Sequence, residues 1–190
     1  MAAMSYDSTA TRARLLAAAH DEFAEKGFAG ARVDRIASAA TVNKQAIYAY
    51  FGSKEALFDA VLAQRYTVLA DAVPMDARDL PAYAGALFDE ITNDAGLQRL
   101  TLWKTLERPE VFPEEAQAHR GKAQAVVDAY GVSAETAMDA LMLVLAAAQA
   151  WNLTPPAVRT PGEQDETARR ARHRHAVVTA VAAITATLLE

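Results

Sequence analysis

Residues 33–58 read VDRIASAATVNKQAIYAYFGSKEALF and contain two short helical patterns followed by the start of a third helix. Apolar residues recur at helical spacing in VDRIASAA (33–40) and again in KQAIYAYF (44–51). Only Thr41, Val42 and Asn43 separate the two patterns. A link this short does not allow a long antiparallel hairpin, but it suits two helices that cross steeply. The stretch therefore predicts a helix-turn-helix.

The second helix of this motif is predicted to present a short polar face. Asn43 can cap it by accepting a hydrogen bond from a backbone N–H in the first turn. If Ile47 faces the core, the spacing of 100° per residue turns Gln45 and Tyr48 outward. A glutamine can offer both a donor and an acceptor to adenine in the major groove, so Gln45 is the predicted base reader. Lys44 is predicted to contact guanine or phosphate.

The third helix of the stretch opens with Gly52, Ser53, Lys54 and Glu55. Ser53 is the predicted N-cap residue. The first N–H groups of this helix and the side chain of Lys54 would point toward whatever the preceding helix touches.

The run IYAYFGSKEAL (47–57), preceded by VDRIA (33–37), resembles the DNA-binding domain of the TetR family of bacterial transcription regulators. The resemblance extends without a gap over roughly residues 9–66. It implies a homodimer that binds a palindromic operator, usually as a repressor, and releases it when a small molecule occupies the C-terminal domain. It also implies that Tyr48 and Lys54 contact the phosphate backbone and that Tyr50 lies near it. For Tyr50, a buried contact between helices is an equal alternative.

Two positions differ from the usual pattern of the family. The turn residue is commonly Gly or Asn, but here it is Thr41, so the turn either keeps a negative φ or stores strain. The first helix of the motif commonly has a Ser or Thr cap, but here the cap position holds Arg32. Its guanidinium can bind phosphate, and the negative charge of Asp34 is left to stabilise the helix N-terminus electrostatically. The predicted DNA-binding residues are Arg32, Asn43, Lys44, Gln45, Tyr48, Tyr50 and Lys54.

The composition favours an all-α protein. Of the 190 residues, 52% are hydrophobic and only 8 are glycine, and no alternating strand pattern is present. The chain has no cysteine, so a disulfide or a thiolate metal site is excluded, and we expect no metal and no cofactor. The net charge of −5 arises outside residues 9–66, and an acidic body behind a mildly basic end favours approach to a polyanion by that end.

The sequence pattern shows neither a signal peptide nor a run long enough to span a membrane. The N-terminus lacks the basic-then-apolar order of a signal peptide. The most apolar runs, 140–148 and 176–189, are shorter than the roughly 18 apolar residues needed to span a bilayer. We therefore expect a soluble cytoplasmic protein without a membrane partner.

Breaks in the pattern divide the chain into four parts. Residues 1–8 are predicted as a disordered N-terminus, 9–53 as the helix-turn-helix DNA-binding domain and 54–72 as a connecting helix. The break around Pro74 separates these from residues 73–190, the predicted ligand-binding and dimerisation domain. The predicted fold is an N-terminal three-helix domain followed by a helical bundle, with about nine helices in total.

The C-terminal part offers two sets of candidate residues. Apolar stripes on the helix after Ser133 and on the last helix suit a four-helix dimer interface, two helices from each subunit. The alternative is that the stripes fill the core of their own subunit. The predicted interface residues are Met138, Leu141, Met142, Leu145, Val177, Val181, Ile184 and Leu188. Aromatic walls with few polar groups suit a small-molecule pocket, although ordinary core packing is the alternative for each candidate. These candidates are Trp103, Phe112, His119, Gln149 and Trp151.

The sequence thus predicts a sequence-specific DNA-binding transcription regulator whose partners are double-stranded DNA, a second copy and a small-molecule effector. A helical interaction module that has lost DNA binding is the alternative, and the atypical Arg32 and Thr41 are its only support. An enzyme is disfavoured, because the chain shows no Gly-rich phosphate loop, no nucleophile elbow and no metal-ligand cluster.

Overall fold

The computed structural model describes residues 2–110, 113–162 and 165–189, and within these ranges it contains ten α-helices and no β-strand. This confirms the predicted all-α fold. The helices are α1 (Ala2–Gly30), α2 (Val33–Ala39), α3 (Lys44–Phe51), α4 (Lys54–Ala72), α5 (Leu80–Asn93), α6 (Ala95–Glu107), α7 (Pro113–Tyr130), α8 (Ala134–Leu153), α9 (Pro156–Arg159) and α10 (Glu166–Leu188). The extra helix relative to the sequence expectation is α9, a single turn inside the Pro-rich connection.

The helices form two compact units. The first consists of residues 1–68 and 96–110, and the second of residues 69–95 and 111–190. The segment 96–110 therefore lies with the DNA-binding helices, whereas the predicted domain division places it in the C-terminal domain. The boundaries of the functional domains stay a prediction.

Helix α1 begins earlier than expected and is interrupted near its end. It begins at Ala2, although residues 1–8 are predicted as disordered. Gly27 has a φ of +71°, which interrupts the helix in the left-handed conformation that glycine commonly adopts at a helix end. A side chain at Gly27 would also meet Trp103, because the nearest ring atom lies 3.0 Å from the Cβ position. Two independent constraints therefore require glycine here.

Helix α6 completes the first unit. Its Leu97 and Leu100 are buried. Both ends of α6 are tied to α1, since Arg99 donates to the carbonyl of Glu25 at 3.1 Å and the carboxylate of Glu107 accepts from the backbone N–H of Ala29 at 2.8 Å. These contacts explain why a segment distant in sequence belongs to this unit.

The core of the second unit is formed by α5, α7, α8 and α10. Its largest fully buried side chain is Phe88 of α5, which meets Trp151 of α8 edge-on with ring centroids 6.4 Å apart. Asn152 donates to the carbonyl of Ile91 at 2.8 Å and joins the same two helices.

Helix α8 is the one helix in the described ranges whose length and apolar composition would suffice to cross a membrane. The sequence expectation considered only its central run. One face of α8 lies in the core through Ala137, Ala140, Leu141, Val144, Ala148 and Trp151. A core helix of this kind meets the same criterion of length and composition.

The apolar stripes differ in part from the dimer-interface prediction. Leu141, Val177 and Val181 are at most 4% exposed, because they belong to the core of their own unit. For these three residues the structure favours the alternative that the stripes fill the subunit itself. Met142 is 60% exposed and Leu188 37%, and both remain candidates for an interface. Met138, Leu145 and Ile184 are half-buried.

Candidate DNA-binding interface

The N-terminus of α2 is held by a side chain from α1. Arg32, at the N-cap position, makes no side-chain capping bond. Its backbone N–H instead donates to Glu22 at 2.8 Å, and the same carboxylate accepts from Arg35 Nε at 2.8 Å. Hydrogen bonding to Arg35 holds the pKa of Glu22 below its ordinary value. Glu22 thus replaces the missing hydroxyl cap and keeps the acceptor ionised.

The turn between α2 and α3 has the geometry of a Schellman motif. The N–H of Val42 donates to the carbonyl of Ala37 at 3.0 Å, and the N–H of Thr41 donates to that of Ser38 at 3.1 Å. This pattern requires a left-handed residue after the helix, a position that glycine usually occupies. Thr41 occupies it with a φ of +56°. Of the two alternatives for this turn, the structure therefore shows the strained one.

Helix α3 has its own cap. The Oδ1 atom of Asn43 accepts from the backbone N–H of Ala46 at 2.8 Å, as the sequence predicts. Ile47 is fully buried, whereas Gln45 is exposed and Tyr48 is 45% exposed. The cap and the buried anchor together turn the polar face of α3 to solvent, where a DNA groove can meet it.

The first cation of α3 is paired rather than free. Lys44 Nζ lies 3.0 Å from a carboxylate oxygen of Asp34, and this hydrogen bond raises the pKa of Lys44. Both side chains are well exposed, so the pair contributes little to stability and can exchange for a phosphate at small cost.

The junction between α3 and α4 places a second cation beside an aromatic ring. Gly52 has a φ of +80°, which lets the chain reverse before α4. Ser53 Oγ accepts from the N–H of Ala56 at 3.0 Å and so caps α4. Lys54 is half-buried, and its Nζ lies 4.7 Å from the centroid of the Phe28 ring.

The remaining predicted DNA-binding residues lie on the same unit but differ in exposure. Arg32 is exposed, and its guanidinium is available at the start of α2. Tyr50 is half-buried, with its ring centroid 6.3 Å from that of Phe51. The guanidinium of Arg12 of α1 lies 5.3 Å from the centroid of the Phe51 ring. The packing of Tyr50 is compatible with either interpretation given for it.

Sequence reasoning missed two residues that support this interface, Glu22 and Arg108. Glu22 was detectable in principle, since an uncapped helix start needs an acceptor from elsewhere. Arg108 donates to Asp59 at 2.6 Å and to the carbonyl of Glu55 at 3.1 Å. Its guanidinium also lies 5.2 Å from the centroid of Phe28. No local pattern links position 108 to residues about fifty positions earlier.

The candidate ligand residues do not share one place in the fold. Trp103 lies in the first unit, packed on Gly27. The second unit holds the buried Trp151, the half-buried Gln149 and the exposed His119, whose Nδ1 lies 2.8 Å from the carbonyl of Glu115. Phe112 lies outside the described residues. For Trp103 the structure favours the packing alternative.

Comparison with known protein families matches both parts of the chain. Residues 15–61 match the family described as bacterial regulatory proteins, tetR family. Residues 79–182 match the family described as tetracyclin repressor-like, C-terminal domain. Together the two matches cover the helix-turn-helix and most of the second unit.

Individual relatives are similar over most of the chain. The HTH-type transcriptional repressor SCO4008 of Streptomyces coelicolor is 39% identical over 161 residues, 80% of this chain and 83% of that protein. The HTH-type transcriptional activator FasR of Mycolicibacterium smegmatis is 32% identical over 125 residues, 62% of this chain and 57% of that protein. The crystal structure of a transcriptional regulator of Streptomyces coelicolor, SCO4942, has a TM-score of 0.76 at 40% identity and covers 90% of this chain and 96% of that one.

Proposed function

Because this chain belongs to the TetR family of bacterial transcription regulators, we propose that it is a homodimeric repressor that a small-molecule effector releases from a palindromic operator. DNA-binding regulation is the function of the family. The dimer, the operator symmetry, the effector and the direction of regulation are the parts that experiments must test. A cytoplasmic location follows from a function exercised on bacterial DNA.

One observation carries the DNA-binding part of the proposal. The exposed face of α3 presents Gln45 and Tyr48 to solvent, while Asn43 and the buried Ile47 fix the helix behind them. A short helix held in this way can enter a major groove without refolding. In a dimer, two such helices would lie about 34 to 36 Å apart, or somewhat more, in successive major grooves.

Selection of bound sequences from random DNA tests the operator. We expect a palindromic site whose half-site spacing reports the separation of the two copies of α3. Gln45→Ala should relax the preference at one base position by about 1 to 3 kcal/mol. Gln117→Ala, an exposed glutamine on α7, is the matched control and should leave the selected sequence unchanged. An unchanged preference in Gln45→Ala would remove Gln45 as the base reader.

Lys54→Ala tests the phosphate contact. It should weaken binding to all sequences alike and reduce the slope of log affinity against log salt by about 1, because one counterion fewer is released. A sequence-dependent loss with an unchanged salt slope would contradict a phosphate contact by Lys54.

The outer faces of α8 and α10 are the proposed dimer interface. On α8, Met142 is 60% exposed, Leu143 45% and Leu153 50%. The outward positions of α10 carry small residues, including Ala176, Ala180 and Ala183, which allow helices to approach closely. The interface proposed from the structure therefore keeps Met142 and Leu188 and places the buried Leu141, Val177 and Val181 behind it.

Sedimentation velocity tests this interface. Leu143→Glu should shift the protein from dimer to monomer, since it places a charge in an apolar contact. Leu106→Glu introduces the same charge at a leucine of α6 that is 73% exposed and should leave the dimer intact. Equal sedimentation of both variants as dimers would place the interface elsewhere.

The effector is proposed to act by shifting the dimer between two arrangements with different spacing of the α3 helices. A ligand changes such an equilibrium only through different affinities for the two states. We expect helix α4 to transmit this change, because its residues 54–68 belong to the first unit and its residues 69–72 to the second. Spin labels on α3 of the two copies should report a changed distance with any compound that releases DNA. A distance unaffected by every such compound would contradict this mechanism.

Trp151 offers a direct readout of effector binding in the second unit. The chain has two tryptophans, so Trp103→Phe leaves Trp151 as the sole indole fluorophore. A compound that binds beside Gln149 and Trp151 should change the emission of this variant. In the separate variant Trp151→Phe, whose fluorophore is Trp103, the same compound should cause no change. A reporter gene placed behind the selected operator then distinguishes repression from activation. The relative FasR is named as an activator.

A further inference from the structure

We propose that Phe28 is a positioning residue for DNA binding, because its ring holds the ammonium of Lys54 in place for a phosphate. The inference rests on the proposed phosphate contact of Lys54 and adds to it the residue that prepares that contact. Phe28 follows the break of α1 at Gly27, and Lys54 begins α4. The ring and the ammonium lie 4.7 Å apart from centroid to Nζ, within the range of a cation–π interaction.

The two lysines of the interface are held in contrasting ways. Lys44 is paired with the carboxylate of Asp34 at 3.0 Å and must give up that partner before it binds a phosphate. Lys54 lies against the face of Phe28, and its charge is the last of the influences that lower the pKa of the neighbouring Glu55. An aromatic face attracts an ammonium without neutralising it and leaves its N–H donors free for an anion. Lys54 can therefore bind a phosphate while it keeps its contact with Phe28.

The ring itself is fixed by its neighbours. Phe28 meets Phe58 edge-on with centroids 5.4 Å apart and stacks on Phe23 at 6.2 Å. Arg108 also lies over it, 5.2 Å from the centroid. The guanidinium of Arg108 is held by Asp59 at 2.6 Å, and that carboxylate offsets a charge that would otherwise repel Lys54. A fixed ring restricts the flexible stem of Lys54 before DNA arrives, which lowers the entropy lost on binding.

A double-mutant cycle tests the coupling. Affinity for a fluorescein-labelled duplex of mixed sequence is measured by anisotropy for wild type, Phe28→Leu, Lys54→Met and the double variant, since a phosphate contact does not need the operator. Phe28→Leu should lower affinity about two- to fivefold when Lys54 is present and should have no effect in the Lys54→Met background. Phe28→Tyr keeps the aromatic face and should retain wild-type affinity.

The outcomes separate this inference from the proposed function. If Lys54→Met lowers affinity but Phe28→Leu acts equally in both backgrounds, Phe28 is a packing residue only and the inference fails alone. If Lys54→Met has no effect on DNA affinity, the phosphate contact and the inference fail together. Equal losses in Phe28→Leu and Phe28→Tyr would also overturn the inference, because only the first removes the aromatic face.

A spectroscopic measurement on the wild-type protein does not depend on whether Phe28→Leu folds. Protons above an aromatic ring are shifted upfield by its ring current. The ε-methylene protons of Lys54, assigned by their loss in Lys54→Met, should resonate upfield of those of Lys44, which lies beside a carboxylate. Coincident ε-methylene shifts for the two lysines would overturn the inference.

Discussion

The two helices of the helix-turn-helix begin in different ways. Helix α3 is capped by the residue next to it, since Asn43 accepts from the N–H of Ala46 at 2.8 Å. Helix α2 is held from α1, where Glu22 accepts the N–H of Arg32 at the same distance from ten positions earlier in the chain. The orientation of α2 therefore depends on α1, whereas the start of α3 depends on one local side chain.

This difference has a functional consequence. The pair between Glu22 and Arg35 fixes α2 to α1, and Arg35 adds a hydrogen bond to the carbonyl of Gly30 at 3.0 Å. The contacts of α3 with its cap do not involve these residues. A change that loosens α2 should therefore affect stability first, and a change at the cap of α3 should affect the geometry presented to DNA.

The largest effect is expected from Glu22→Ala. The Glu22 side chain is only 11% exposed and serves two donors. Its removal leaves the backbone N–H of Arg32 without its acceptor, and Arg35 keeps the carbonyl of Gly30 but loses its carboxylate partner. The free energy of unfolding in urea, at fixed protein concentration, should fall by about 2 kcal/mol. Glu25→Ala is the control, because it removes an exposed carboxylate that pairs with its neighbour Lys26. This variant should change the free energy of unfolding by less than about 0.5 kcal/mol. Equal losses in the two variants would mean that Glu22 does not anchor α2.

Acid should remove part of the stabilisation that Glu22 gives to the start of α2, and it should not affect the cap of α3. The pKa of Glu22 is lowered in the folded protein by its hydrogen bond with Arg35. A lowered pKa means that the stabilisation is complete above the ordinary glutamate pKa and is lost as pH falls through the lowered one. The difference in unfolding free energy between wild type and Glu22→Gln should therefore shrink as the solution is acidified. Asn43 does not titrate, so the difference between wild type and Asn43→Ala should show no such trend.

Asn43→Ala should have a smaller effect than Glu22→Ala. Loss of a side-chain cap costs about 1 kcal/mol, because one backbone N–H of the first turn loses its acceptor. Asn43→Ser keeps an acceptor at the N-cap and should retain most of the stability. Urea unfolding of both variants, with DNA affinity measured in parallel, checks the expectation. A cost for Asn43→Ala as large as that of Glu22→Ala would remove the distinction between the two helix starts.

The same distinction explains which features were readable from the sequence. The bounds predicted for α4, residues 54–72, agree with the structure, because caps, Pro and Gly are local signals. The caps from Asn43 and Ser53 were readable for the same reason. The anchors supplied by Glu22 and Glu107 were not, since their partners are 10 and 78 positions away.

Helix α10 shows a second limit of sequence reasoning. Its apolar period was readable, but which of the stripe residues lie in the core of the subunit and which remain outside was not. The buried row runs through Val177, Val181, Thr185 and Leu189 rather than through Ile184 and Leu188. Thr185 can be buried because its hydroxyl donates to the carbonyl of Val181 at 2.9 Å within the same helix. A stripe defined by apolar residues alone therefore omits Thr185, although the structure buries it.

The smallest expected effect concerns the turn that joins the two helices. Thr41 adopts a φ of +56° at the left-handed position that ends α2, and a left-handed conformation costs a residue with a Cβ roughly 1 to 2 kcal/mol. Thr41→Gly removes this strain. It also raises the conformational entropy of the unfolded chain, which lowers the free energy of unfolding by about 0.5 to 1 kcal/mol. The net result should be a stabilisation of about 0.5 kcal/mol.

A comparison of three variants isolates the cause of the strain. Thr41→Ala removes the branched side chain but keeps the Cβ, so it should gain less than Thr41→Gly, and Thr41→Asn should lie between them because asparagine tolerates positive φ. Urea unfolding of the set resolves this order. A loss of stability in Thr41→Gly would mean that the turn keeps a negative φ in solution. In that case the link between the locally capped α3 and the distantly anchored α2 would have to be relaxed rather than strained.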